Sequence, residues 1–116
     1  MDNEYQYREI GAVSQEEMWA ALRRNDSHEL SVAILALALH HDDRSFVEET
    51  CLKLAAHPNF HVRANAIEGF GHIARRFGAL NEGLVRPIIE GALNDPSEFV
   101  RGKASDAADD IAHFLG

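Results

Sequence analysis

Histidine and carboxylate side chains give this chain of 116 residues its clearest candidates for chemistry. The densest group is the run His40-His41-Asp42-Asp43, whose residue types are those of a metal site. Adjacent residues of one turn do not all point at one ion, and tight sites take their ligands from several elements. We therefore interpret the run as a helix end, where histidines suit the negative end of the dipole, followed by aspartates that cap the next helix.

Cys51, Arg63 and Arg101 are the other residues whose types could serve catalysis or binding. Cys51 falls in an apolar helical stripe, so we expect a small core residue and not a nucleophile. The two arginines could clamp a carboxylate or a phosphate, but such arginines more often pair with acids of a neighbouring helical hairpin. The sequence thus predicts no catalytic residue, no metal site and no cofactor, and we expect the protein not to be an enzyme.

Acidic residues remain as the candidates for a binding surface. They lie around the start of one predicted helix, on the helix after it, and along the polar face of the last helix. If these rows are contiguous in space, they form a negative patch for a basic partner, whereas the alternative is a solvated polar end of the protein. The predicted partner-binding residues are Asp42, Asp43, Glu48, Glu49, Glu68, His72, Asp106, Asp109 and Asp110.

The charge balance restricts the classes of partner. The chain has 19 acidic and 11 basic residues and a net charge of -8. Nucleic acids and anionic membranes need a cationic surface, so both are disfavoured. The field instead favours a cationic protein and would speed its encounter, although excess acid also serves solubility alone.

The sequence carries no sign of export. Its single cysteine cannot form an internal disulfide, and its N-terminus lacks the basic start and apolar run of a secretory signal. The longest apolar run, residues 32–39, is too short to cross a bilayer. We therefore expect a cytoplasmic protein.

Two segments repeat each other at a shift of 38 residues without gaps. Residues 57–78, HPNFHVRANAIEGFGHIARRFG, align with residues 95–116, DPSEFVRGKASDAADDIAHFLG. The same shift places Phe46-Val47 on Leu84-Val85, so the repeating unit is a helical hairpin. We predict a single domain with units at about 14–41, 43–78 and 81–116, preceded by an N-terminal extension over 1–13.

Capping residues and apolar spacing predict two helices in each unit. Ser14 with Glu17 three residues later forms a capping box. Trp19 is expected to close one end of the core, and Leu84 and Leu93 are expected to face inward. The other predicted caps are Asp43 or Ser45, Asn59, Asn81 and Ser97 at helix starts and Gly78 at a helix end.

The pattern D-P-x-x-x-V-R-x-x-A begins the second helix of the last unit, as DPSEFVRGKA over residues 95–104. In hairpins of about 40 residues this pattern resembles HEAT repeats. The sequence departs from the family at His57, where the family usually has Asp, and in the first unit, which lacks both the Pro and the Arg. These departures speak against the continuous ladder of Asp–Arg pairs that long HEAT arrays form.

The resemblance implies an all-α fold, an α-α superhelix of about three stacked HEAT-like hairpins with about six helices. Small acidic HEAT-like proteins of bacteria include immunity proteins that neutralise a partner toxin, often a basic nuclease. Together with the charge, the resemblance leads us to expect an acidic inhibitor of a basic toxin. The alternatives are a bilin-lyase-type or metal-dependent HEAT-like protein, or a general adaptor subunit.

Overall fold

The computed structural model describes residues 11–116, which form six α-helices and no β-strand. The predicted all-α fold class is thereby confirmed, while most of the predicted N-terminal extension lies outside the described residues. None of the six helices is long and apolar enough to cross a lipid bilayer. The helices are α1 (Gln15–Arg24), α2 (Ser27–His40), α3 (Arg44–Leu54), α4 (Phe60–Phe77), α5 (Glu82–Ala92) and α6 (Glu98–Leu115).

The internal repeat of the sequence is also a repeat of helix boundaries. Helices α3 and α5 each have 11 residues, and α4 and α6 each have 18. Both pairs begin and end 38 residues apart. The hairpins α3–α4 and α5–α6 therefore have the same helix lengths and the same spacing. Helices α1 and α2 form a first hairpin whose helices are shorter than their counterparts in the other two.

Side-chain caps fix these boundaries where the sequence predicts them. Ser14 and Glu17 form the expected capping box at the start of α1. Gly78 ends α4 with φ 63°, a left-handed conformation in which glycine has no steric penalty. Side-chain oxygens accept backbone N–H groups at the other predicted starts, namely Asp43, Asn59, Asn81 and Ser97.

The second helices of the three hairpins run parallel, with α4 in the middle. Asn65 of α4 donates to the carbonyl of Ser31 on α2 at 2.9 Å, and Arg76 donates to the carbonyl of Ala38 at 2.9 Å. Both partners advance along their helices together, which is possible only if α2 and α4 point the same way. Helix α6 and helix α3 pack against α4 as well.

Helix α4 is the centre of the hydrophobic core. Phe70 and Ile73 of this helix are fully buried, as is Leu37 of α2. Gly69 lets the helices approach closely, because a Cβ atom there would lie 2.6 Å from Cys51 Sγ and 3.4 Å from Ala38 Cβ. Any side chain at this position would push α2 and α3 away from α4.

Three apolar residues lie further out than the sequence predicts. Trp19 is 46% exposed and contacts the edge of the Phe46 ring, so the prediction that it closes the core is wrong. Leu84 and Leu93 of α5 are 55% and 42% exposed, so they do not face inward. The cause is that α5 packs against α6 and only lightly against α4, and no further hairpin covers its outer side in the described residues.

Candidate functional site

The exposed sides of α4 and α6 form one surface with matching positions. On each helix, polar or aromatic residues recur every three or four positions, which places them on one side of the helix. Each position on α4 has its repeat equivalent on α6, 38 residues later. This surface, the α4–α6 face, is defined by His61, Asn65, Glu68 and His72 of α4 and by Phe99, Lys103, Asp106 and Asp110 of α6.

Glu68 holds the middle of this face together. Its carboxylate lies 3.5 Å from Lys103 Nζ on α6 and 3.8 Å from His72 Nε2 on its own helix. Arg75 lies 3.0 Å from His72 Nδ1. Because an arginine only donates, Nδ1 accepts and Nε2 carries the proton of a neutral ring, directed towards Glu68.

His72 is mostly buried, and its surroundings keep it uncharged. Burial lowers the pKa of His72, and the carboxylates of Glu68 and Asp110 oppose that shift only in part. Arg75 and Lys103 act in the same direction as burial, because both place a positive charge near the ring. His72 therefore acts at neutral pH as a hydrogen-bonding group and not as a cation.

Asp110 lies in the seam between the two helices. A Cβ atom on Gly71 of α4 would lie 2.7 Å from Asp110 Oδ2, so the carboxylate occupies space that only a glycine leaves open. Glu68, His72 and Asp110, which the sequence predicts as contact residues on different units, are thus close to one another. Asp106 and Asp109 are exposed on the same helix.

Asp106 and Asp110 of this face, and Asp109 next to them on α6, differ from Glu68 in having no ion pair. Within residues 11–116, no Lys, Arg or His nitrogen lies within 4.0 Å of the carboxylates of Asp106, Asp109 or Asp110. Glu68, in contrast, is shared between a lysine and a histidine. The charge that this surface offers to a partner therefore resides on α6.

The acidic residues predicted near the start of α3 have local roles instead. Asp43 caps α3 by accepting the N–H of Phe46 at 3.1 Å, and Asp42 lies 3.7 Å from Arg76. Glu49 is exposed. No hydrogen bond or ion pair among the described residues joins this group to the α4–α6 face.

Glu48 departs from its predicted place on a binding surface. Its side chain is buried, and Oε1 accepts the N–H of Asn81 at 2.8 Å and a bond from Arg44 at 3.2 Å. It thereby fixes the segment that begins α5 to the side of α3. Apolar periodicity gave no indication of this role, because the partner is a backbone group 33 residues away.

The residues that resembled metal or catalytic groups have structural partners. His41 Nδ1 accepts the N–H of Asp43 at 3.1 Å, so the His40–Asp43 run is a helix end with a turn. Cys51 is fully buried, and burial raises the pKa of its thiol. In the described part of the chain, no three His, Cys, Asp or Glu side chains are grouped to hold a metal ion.

Arg63 and Arg101 perform the same task in successive hairpins. Arg63 donates to the carbonyls of His57 and Pro58, and Arg101 donates to the carbonyls of Asp95 and Pro96. Arg63 also forms a bidentate pair with Asp95, at 3.1 and 2.9 Å, as expected for an arginine that joins hairpins. Arg63 is thus not available as a free clamp for a phosphate, whereas Arg101 uses only one of its nitrogens on its own turn.

One feature of the α4–α6 face was missed by the sequence reasoning. Phe60 and Phe99, in the first turns of α4 and α6, are each 41% exposed, and their rings meet edge to face at 6.2 Å. The ring of His61 contacts both of them, with its centroid 4.2 Å from that of Phe60 and 5.3 Å from that of Phe99. The signal available in the sequence was that His61 and Phe99 are repeat equivalents, both aromatic, at helix starts that must lie side by side.

Comparison with known proteins supports the fold. No family model matches the chain, and no curated protein matches it in sequence. Among solved structures, a chain in the crystal structure of a CDI complex from Cupriavidus taiwanensis LMG 19424 superposes with a TM-score of 0.80. The two sequences are 24% identical, and the match covers 93% of this chain and 96% of the other. The two chains therefore share a fold over nearly their whole lengths.

Proposed function

We propose that the protein is an immunity protein, which binds a toxin of a contact-dependent inhibition system and neutralises it. The observation that carries this proposal is the end-to-end structural similarity to a chain of a CDI complex, where CDI denotes contact-dependent inhibition. A protein that shares its whole fold with a member of such a complex is a candidate for the same kind of assembly.

The fold supports inhibition by occlusion. Stacked HEAT-like hairpins present a broad, rigid row of helices whose backbone is fully hydrogen-bonded and whose outward side chains are free to vary. A partner seated on such a row loses access to whatever surface it uses for its substrate. In this proposal the chain performs no reaction, needs no cofactor and acts in the cytoplasm.

The α4–α6 face is the part of this row that fits a basic toxin. Its α6 side carries Asp106 and Asp110, with Asp109 next to Asp110 in the chain, and none of the three has a described cation within 4.0 Å. Carboxylates that already lack a counter-charge lose no internal pairing when a Lys or Arg of a partner approaches. The net charge of -8 adds long-range attraction, which raises the rate of encounter with a cationic protein.

Co-expression with the product of the adjacent upstream gene tests the proposal. Cells that express this product alone are expected to stop growing, and cells that also express the chain are expected to grow. Purified together, the two proteins should form a stable stoichiometric complex. A neighbouring product that is harmless, or one that kills cells despite a well-expressed chain, would overturn the proposal, and binding without protection would favour the adaptor function.

A matched pair of variants asks whether the α4–α6 face is responsible. The double variant Asp106→Lys with Asp109→Lys reverses two exposed charges on α6 and should abolish protection. The control Glu16→Lys with Glu90→Lys makes the same change of charge on exposed residues of α1 and α5 and should still protect. Equal loss of protection in the two double variants would show that net charge matters and not this face, and full protection by both would show that this face is not responsible.

A further inference from the structure

We propose that Phe60, His61 and Phe99 form the apolar anchor of the partner interface, and that they take an aliphatic or aromatic side chain of the toxin flanked by Lys or Arg. This inference rests on the function proposed above and names the residues of the same surface that supply most of its affinity. The three rings, called the aromatic trio, occupy the end of the α4–α6 face where both helices begin.

The trio is assembled by the repeat itself. Because α4 and α6 run side by side in the same direction, their first turns are neighbours. The rings then meet with centroids 4.2 Å apart for Phe60 and His61, 5.3 Å for His61 and Phe99, and 6.2 Å for the two phenylalanines. The edge-to-face contacts of Phe99 with Phe60 and His61, and the tilted contact of Phe60 with His61, hold the rings in one arrangement before any partner arrives.

The core does not need these rings. Val62 and Val100, two residues and one residue after the phenylalanines, already fill the interior at the starts of α4 and α6 and are fully buried. Phe60 and Phe99 leave 41% of their surface in water, and His61 is exposed as well. Clustered exposed aromatics at one point of a surface are typical of the energetic centre of a protein interface.

The charges next to the trio define what the partner must carry. Lys103 lies 5.5 Å above the Phe99 ring and is held there by Glu68, so its own charge is balanced. One and two turns further along α6, Asp106 and Asp110 have no cationic nitrogen within 4.0 Å among the described residues. A complementary surface therefore combines an apolar side chain opposite the trio with Lys or Arg opposite the aspartates.

A second aromatic group lies where the first hairpin meets α3, and it serves as a control. Trp19 is 46% exposed and meets Phe46 at 6.1 Å, and Phe46 meets His41 at 5.3 Å. The aspartates that follow His41 are engaged, since Asp43 caps α3 and Asp42 lies near Arg76. This group thus lacks the unpaired charges that adjoin the trio.

Affinity measurements with the toxin domain encoded by the adjacent gene test the anchor. Phe99→Ala and Phe60→Ala are each expected to weaken binding roughly 30-fold or more, as removal of an interface hot spot does. Trp19→Ala and Leu84→Ala, which also shorten exposed apolar side chains, should change it by less than about threefold. If the wild-type chain does not bind, the proposed function fails together with the anchor; if it binds and the Trp19 variant is the weakened one, only the anchor is overturned.

Hydroxyl-radical footprinting of the wild-type protein tests the anchor even if a phenylalanine variant folds poorly. Hydroxyl radicals should oxidise Phe60 and Phe99 in the free wild-type protein and should oxidise them several-fold less in the complex. Leu84 should be oxidised equally in both. Unchanged oxidation of the two phenylalanines in a stable complex would overturn the anchor without affecting the proposed function.

Discussion

Arg63 and Asp95, 32 residues apart in the chain, form a bidentate ion pair that joins the second hairpin to the third. The guanidinium uses one edge for the two carboxylate oxygens and its remaining nitrogen for the carbonyls of His57 and Pro58. Both side chains of the pair are largely buried, at 19% and 13% exposure. Arg63 therefore binds the carbonyl groups in the turn of its own hairpin and also fixes the position of the next hairpin.

Replacing Arg63 should destabilise the protein strongly. Arg63→Ala leaves Asp95 without its partner in a partly buried place, and we expect a loss of about 2–3 kcal/mol in the free energy of unfolding. Urea denaturation followed by circular dichroism measures this loss. Arg24→Ala, which breaks the exposed pair with Glu29, should have a much smaller effect, and equal losses would contradict the role assigned to Arg63.

The same pair gives the protein a defined sensitivity to acid. The hydrogen bonds from Arg63 lower the pKa of Asp95, so its stabilising contribution is present above the pKa of an unfolded Asp and is lost as the pH falls through the lower folded value. The stability difference between the wild type and Arg63→Ala should thus be constant near neutrality. It should shrink below about pH 4, and a difference that grew with acid would contradict this assignment.

His57 and Asn25 form the equivalent contact one hairpin earlier. His57 Nε2 lies 2.9 Å from Asn25 Oδ1, at the same separation of 32 residues as the ion pair. The departure from the HEAT pattern at His57 therefore replaces the ion pair of this junction by a histidine–asparagine hydrogen bond at the same place in the repeat. The departures from the family pattern predicted that the ladder of Asp–Arg pairs is interrupted. The hydrogen bond between Asn25 and His57 was not predicted, because the two residues meet only when the hairpins are stacked.

Two substitutions of Asn25 separate its two roles. Asn25 has φ 52°, which Asn and Gly tolerate better than other residues. Asn25→Gly loses the bond to His57 alone, whereas Asn25→Ala also forces alanine into the left-handed region. We expect the alanine variant to be less stable than the glycine variant by about 1 kcal/mol in thermal unfolding, and a more stable alanine variant would contradict this.

The fold was more accessible from the sequence than the site. Capping residues and the 38-residue repeat predicted the positions of the helices well, because both can be recognised in the sequence without knowing how the helices pack. Glu48, Leu84 and Trp19 were misplaced because their exposure depends on which helices pack against them. The aromatic trio was missed because apolar spacing does not distinguish a ring that faces the core from one at a helix start that faces water.

Glycine substitutions should report how tightly the hairpins pack. Gly69→Ala places a Cβ against Cys51 and should destabilise the protein by about 1–3 kcal/mol, although alanine favours helices. Gly102→Ala, where nothing lies within 4 Å, should stabilise α6 by up to about 1 kcal/mol. Adding Cys51→Ala to Gly69→Ala removes the closest clashing atom and should recover part of the loss, and the absence of any recovery would assign the loss to another contact.

His72 should make stability depend on pH in a second window. Its folded pKa is lowered by burial, so below about pH 6.5 the unfolded chain takes up a proton that the folded protein does not accept until lower pH. His72→Gln removes this difference. The stability of the wild type relative to the variant should fall between about pH 7 and pH 5, and a relative stability that rose with acid would show a raised folded pKa instead.

The α6 aspartates should control the rate of association with the proposed basic toxin. The association rate constant is expected to fall as ionic strength rises, because salt screens attraction between separated charges. Asp106→Asn with Asp109→Asn should flatten this dependence in stopped-flow measurements and leave thermal stability unchanged, since both residues are exposed. The control Glu16→Gln with Glu90→Gln should retain most of it, and an identical change in both would point to net charge alone.

Arg101 is the equivalent of Arg63 in the third hairpin, and half of its guanidinium has no partner among the described residues. It binds the carbonyls of Asp95 and Pro96 as Arg63 binds those of its own turn, but within the described residues no carboxylate meets the edge that corresponds to the Asp95-binding edge of Arg63. The spacing of the repeat fixes where such a carboxylate would stand in an added module. A further copy of the hairpin, whose turn carries an aspartate at the position equivalent to Asp95, should therefore dock in register when it is added by design. The free edge of the Arg101 guanidinium would bind that aspartate.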